Sequence, residues 1–224
     1  MHKTAILIIA AALATTACGH ASAQDTTAAL QQQVAAAQAA EDSYHQREAA
    51  RLWMPLAEQG AAVAQMHLGE LYADGKGVCQ DKTIAEQWLL KAANQGLAEA
   101  SRDLGFLYDA DGPLHDPTKA AAWYQKGADG GDADAQFQLS GLYWQGKAIA
   151  TDHAKAVYWL EKAVTQKLAN PRDPMGGALA YDLAEMYADD AGQAADYEKG
   201  SILVPSVRQS GCCRRCAVQA WRLV

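Results

Sequence analysis

Four tryptophans return along this chain at near-constant distance, Trp53, Trp88, Trp123 and Trp159, with spacings of 35, 35 and 36 residues. Four tyrosines keep step with them: Tyr72, Tyr108, Tyr143 and Tyr187, at 36, 35 and 44. A period of this size, with helical spacing inside each unit, requires stacked helix pairs, because one pair alone cannot bury its own apolar face. The last interval locates an insertion. Leu168 to Gly177 (Leu-Ala-Asn-Pro-Arg-Asp-Pro-Met-Gly-Gly) is expected to be a loop that lengthens the link inside the fourth unit.

Inside the second unit, Ala85, Trp88, Leu89, Ala92 and Ala93 fall on one stripe of a helix, and Ala100, Leu104, Leu107 and Tyr108 on the stripe of its partner. Gly60, Gly96 and Gly131 stand where the first helix of each pair must stop and the chain turn back, a place suited to a left-handed residue. Gly69 and Gly105 lie in mid-helix, where glycine costs about 1 kcal/mol against alanine. Close approach of a neighbouring backbone is the expected compensation, and Ser140-Gly141 is the small counterpart in the third unit. Asp81, Asp116 and Thr151 are the expected N-caps, with Pro117 at a first helical position. Strand-like alternation is missing, so the chain reads as all-α.

The string Ala64-Gln-Met-His-Leu-Gly-Glu-Leu-Tyr-Ala-Asp-Gly-Lys-Gly-Val78, followed by Ala85-Glu-Gln-Trp-Leu-Leu-Lys-Ala-Ala-Asn-Gln-Gly96, resembles the Sel-one-like repeat (SLR), a relative of the tetratricopeptide repeat. The resemblance spans roughly residues 41 to 200. It implies a right-handed superhelical solenoid of about four antiparallel helix-pair repeats, with the start of a fifth, and a scaffold for protein partners. Some secreted SLR proteins pair cysteines in every repeat, and certain of them hydrolyse or bind β-lactams. Only Cys79 lies in the repeat body here, so that alternative is disfavoured.

The ends differ from the body. Lys3, the apolar run Ala5 to Ala17 and the small residues Ala21-Ser-Ala23 read as an export signal cleaved after Ala23, placing the chain in the periplasm or outside the cell. A lipoprotein signal acylated at Cys18 is the alternative, opposed by Thr15 where leucine is usual. Residues 24–40, rich in Ala and Gln, are either a leading helix or a linker, and linker is preferred. Residues 201–224 abandon the pattern, with Pro205, four arginines and no acid. The shift reads as a truncated or out-of-frame ending, expected to be disordered. Cys212, Cys213 and Cys216 suit a disulfide better than a zinc site, since one Cys-x-x-Cys lacks four ligands.

All 26 acidic residues but only 14 of the 19 basic ones lie between residues 24 and 200, a net charge of −12. Such a body excludes nucleic acid as a partner and favours a basic protein or peptide, or simply a solvated surface. No Ser-x-x-Lys, Lys-Thr-Gly, Gly-x-Ser-x-Gly or His-Glu-x-x-His motif occurs, so no catalytic residue is assigned and no enzyme is expected. His45, His67, His115 and His153 stand in different units without companions at ligand spacing, so neither metal nor cofactor is expected. Trp88, Trp123 and Trp159, with Tyr108 and Tyr143, are read as core. Tyr124, Trp144 and Tyr158 lie off that stripe and are assigned, with Lys126 and Lys162, to a concave face that grips an extended peptide or a partner helix.

Overall fold

The computed structural model describes residues 23–170, 173 and 175–190. The apolar leader, the tail 201–224 and the start of a fifth unit lie outside the described residues. Among the described residues nine helices follow one another: α1 (Ala23–Asp42), α2 (Gln46–Glu58), α3 (Ala62–Asp74), α4 (Lys82–Asn94), α5 (Ala98–Asp109), α6 (Pro117–Asp129), α7 (Ala133–Gln145), α8 (His153–Leu168) and α9 (Met175–Asp190). No strand occurs among the described residues. The fold class is all-α, built of consecutive helix pairs as in a helical solenoid. Two compact units divide after Gly130.

In the first unit, α1 to α6 pack each on the next, most closely α3 on α4 and α5 on α6. The glycines explain those two pairs. A Cβ built on Gly69 would lie 2.7 Å from Leu89 Cγ, and one on Gly105 would lie 2.4 Å from the Tyr124 ring. The close neighbour is therefore chiefly a side chain of the following helix, where backbone was expected. Ser140 takes the corresponding place in the second unit; it is fully buried and donates its hydroxyl proton to the carbonyl of Phe137 at 2.7 Å. Gly141, one place on, faces open space.

Residues 24–40, read preferentially as a linker, belong to α1. Ala37 and Ala40 are buried there, and Leu30 and Val34 pack on the cluster of Trp53, Leu56, Leu68 and Leu71. A run that buries little by itself is thus ordered by the apolar face of α2. In the second unit, Leu160, Ala163, Val164, Leu179, Ala180 and Leu183 form the core between α8 and α9. The insertion there is shorter as a loop than its sequence suggests. Leu168 still belongs to α8, and Met175, Gly176 and Gly177 open α9, so both helices absorb part of the extra length.

The helix ends follow local chemistry. Gly60, Gly96 and Gly131 have φ of +92°, +87° and +90°, and Ala61 N–H donates back to Leu56 O at 3.1 Å, closing the end of α2. Asp81 caps α4, accepting from Thr83 N and Ile84 N, and Asp116 caps α6. At α8 the cap is Asp152, which accepts from Lys155 N, not Thr151. Asp152 fits because it stands one residue before the first helical position, as Asp81 and Asp116 do. Both Asp116 and Asp152 are held below the ordinary carboxyl value of 3.8, first by the backbone N–H three residues on and then by Lys119 and Lys155.

Gly77 and Ala148 occupy matching loop positions, and both are left-handed, with φ of +74° and +63°. Alanine pays for that conformation with roughly 1–2 kcal/mol. Ala148→Gly should therefore raise the stability measured by denaturant unfolding by about 1 kcal/mol. Gly105→Ala should lower it by about 1–3 kcal/mol, because the Tyr124 ring has to move. The cap carboxylates add a pH effect: since their folded-state values are depressed, their contribution is complete above 3.8 and disappears as pH falls through the lower value. Asn at Asp152 keeps the cap but not the charge. The melting-temperature gap between wild type and Asp152→Asn at neutral pH should therefore close as pH falls below 3.8 and through the depressed value.

Candidate functional site

The aromatic residues divide by their place in the helical stripe. On α6 the buried residues are Ala120, Ala121, Tyr124, Gly127 and Ala128, a stripe centred on Tyr124. The matching positions on α4 and α8 are Leu89 and Leu160, both buried. Tyr124 is thus not on a binding face: it is 1% exposed, set over Gly105, with Phe106 edge-on at 5.5 Å. Burial, followed by the nearby charges of Asp109 and Asp103, holds its phenol well above the ordinary range. Its hydroxyl is buried without a hydrogen-bond partner.

The preceding residue, Trp123, is correspondingly half-buried rather than core, and so are Trp88 and Tyr143. Trp159 and Tyr108 are buried as expected. Adjacent helical residues point about 100° apart, so a stripe one place later turns Trp88 and Trp123 toward the surface, while Trp159 stays buried. All three meet a lysine one turn on. Lys91 Nζ lies 3.8 Å from the Trp88 ring centroid, Lys126 Nζ 3.8 Å from that of Trp123, and Lys162 Nζ 4.7 Å from that of Trp159. These distances are within the range of a cation–π contact. A Trp-x-x-Lys spacing, legible in the sequence, signals this row.

The remaining assigned residues belong to the second unit. Trp144 on α7 is half-buried and stacks on His153 of α8, with centroids 4.4 Å apart. Tyr158 on α8 is 49% exposed, its ring 4.6 Å from Lys162 Nζ and edge-on to Trp159. Lys126 lies with Tyr124 in the first unit, and Trp144, Tyr158 and Lys162 in the second.

A further constellation escaped the sequence reading. His67 on α3 brings Nδ1 to 3.1 Å from Glu70 Oε2 and to 3.4 Å from Glu41 Oε2 of α1. Its ring stacks on Trp53 at 4.7 Å, and Trp53 Nε1–H donates to Glu41 Oε2 at 3.2 Å. Burial by itself would lower the His67 value; the Glu70 hydrogen bond and the charges of Glu70, Glu41 and Asp103 outweigh it and raise it. His67 therefore does have companions at ligand spacing, one at i+3 and one on α1. Only the His67-x-x-Glu70 spacing was legible. Glu41 comes into reach because α1 is a packed helix. The other histidines among the described residues are exposed: His45 pairs with Ser43 Oγ, His115 with Asp109 O, and His153 with Trp144.

The Sel1 repeat family matches residues 62–97, 98–132, 133–168 and 178–200, more than half of the chain. The chain belongs to the Sel1 repeat family. Each complete Sel1 repeat here joins a tyrosine helix to the tryptophan helix that follows, α3 with α4 and α5 with α6, so the closely packed pairs lie within repeats. A Sel1 repeat protein from Oxalobacter formigenes is similar in structure, with 26% identity over 77% of this chain and 68% of its own, at a TM-score of 0.61. So is c5321, a protective antigen present in uropathogenic Escherichia coli strains and displaying an SLR fold, with 24% identity and a TM-score of 0.66. That likeness covers 95% of this chain but 46% of the antigen, and at this identity it concerns the fold alone. No curated protein matches. Sel1 repeats generally mediate protein–protein interaction, and the fold is typically a non-catalytic scaffold. No helix among the described residues is long and apolar enough to cross a membrane.

The two tyrosines assigned from sequence should separate cleanly on mutation. Tyr124→Ala should cost about 3–5 kcal/mol in denaturant unfolding, as for a large core aromatic. Tyr158→Ala should stay within about 0.5 kcal/mol of wild type.

Proposed function

We propose that this Sel1 repeat chain is an exported adaptor of the bacterial envelope that holds a protein partner. The bound element is an extended segment or helix carrying basic residues, taken on the concave face that a helical solenoid offers. Export rests on Lys3, the apolar run to Ala17 and the Ala21-Ser-Ala23 site. A basic partner is favoured by the net charge of −12 between residues 24 and 200. The observation that carries the choice of surface is Tyr158: a large aromatic, 49% exposed, beside Lys162 on a helix packed against the one bearing Trp144. Exposed aromatics of this kind lose little conformational freedom on binding and dominate the energetics of many interfaces.

Capture from periplasmic extract with the wild-type chain and with a Trp144→Ala/Tyr158→Ala variant of equal helicity tests both parts. A partner retained by wild type, lost by at least about tenfold in the variant, and released as salt rises is the expected result. Equal capture by the variant removes this surface, and absence of the protein from the periplasmic fraction removes export.

A further inference from the structure

We infer that Glu41, His67 and Glu70 form a binding site for a divalent transition cation of the zinc class, and that the bound ion fastens α1 to the first Sel1 repeat. The three side chains offer two carboxylate oxygens and one imidazole nitrogen, all within 4.8 Å of one another. Around a tetrahedral ion with ligands at about 2.0–2.2 Å, neighbouring ligand atoms stand about 3.3–3.6 Å apart. The His67 Nδ1 separations of 3.4 Å from Glu41 and 3.1 Å from Glu70 are within about 0.2 Å of that range. The Glu41 and Glu70 oxygens lie within 4.8 Å of each other, and binding the ion draws them to the tetrahedral spacing.

The donor chemistry favours an ion over a proton. Nδ1 carries a single hydrogen, which serves one acceptor well, yet two carboxylate oxygens converge on it. A divalent cation engages both oxygens and the nitrogen together and offsets both negative charges. Imidazole with carboxylates selects zinc, cobalt or nickel over magnesium and calcium, which prefer all-oxygen sites.

Trp53 supplies the orienting contacts that such a site needs. Its indole N–H holds Glu41 Oε2, and its ring lies 15° from parallel with the imidazole of His67, so one fully buried residue positions two of the three ligands. The side chains are 21%, 15% and 35% exposed for Glu41, His67 and Glu70, which leaves an entry path and a fourth position for water. Because Glu41 is in the last turn of α1 and the other ligands are in α3, the ion links two helices that are 20 residues apart at their nearest ends.

The test uses the full chain with its cysteines alkylated, so that Cys79 and the cysteines near the C-terminus cannot bind metal. Titration with Zn²⁺, followed by calorimetry, and with Co²⁺, followed by its visible ligand-field bands, should show one saturable equivalent with no thiolate charge-transfer band. Magnesium in excess should not compete. Glu70→Gln and Glu41→Gln, checked for native helicity, should each weaken zinc binding by at least about tenfold. Zinc should also slow hydrogen exchange of the α1 amides from residue 30 to 42 in wild type but not in Glu70→Gln. Absence of saturable binding would mean an ion-paired imidazolium only and overturns the proposal. So does binding that both variants retain, or binding that leaves α1 exchange unchanged.

Discussion

A residue without a side chain facing a bulky one is the constraint on which the rest of this structure depends. Gly69 under Leu89 and Gly105 under Tyr124 let α3 approach α4 and α5 approach α6 more closely than any Cβ would allow. Helix distance then sets which residues can be core. Once Leu89 and Tyr124, each following a tryptophan, are committed to that contact, Trp88 and Trp123 are turned outward and the lysine one turn on can lie over each ring. The loops obey the same geometry. The connection between such a pair has to cross the ends of two closely spaced helices, and it uses left-handed residues at Gly75 and Gly77 to do so.

Periodicity made the helices legible, and the stops at Gly60, Gly96 and Gly131 were readable from residue type alone. Side-chain direction was less so, because Trp123 and Tyr124 are neighbours of similar size and only the flanking alanines distinguish them. Ala120, Tyr124 and Ala128 at four-residue intervals held that information. The constellation around His67 was legible only in part. Its second carboxylate comes from a helix whose own sequence buries little, and whose order depends on the apolar surface presented by α2. Contacts between segments distant in sequence are what local spacing does not encode.

The charge on this body is strongly negative, yet its lysines are not simply scattered counter-charges. Lys91, Lys126 and Lys162 sit on aromatic rings, Lys119 and Lys155 pair with helix caps, and Lys167 joins Asp134 of α7 to Asp173 at 2.9 and 3.3 Å. These lysines thus have structural contacts, while many acids of the described residues remain at the surface, so the negative field of the body is not cancelled by its own cations.

The first tryptophan shows where this fold begins. Trp53 has Leu56 where its successors have lysine, and it is fully buried, covered by α1 and stacked on His67. The family match starts at residue 62, but the apolar surface of that first repeat is closed by residues from 30 onward. The unit recognised by sequence comparison and the unit that keeps water out are therefore different lengths of chain. A fragment cut at the repeat boundary would carry every matched residue and still present Leu68 and Leu71 to solvent, so residues 30–61 ahead of the match are part of what shields the repeat from water.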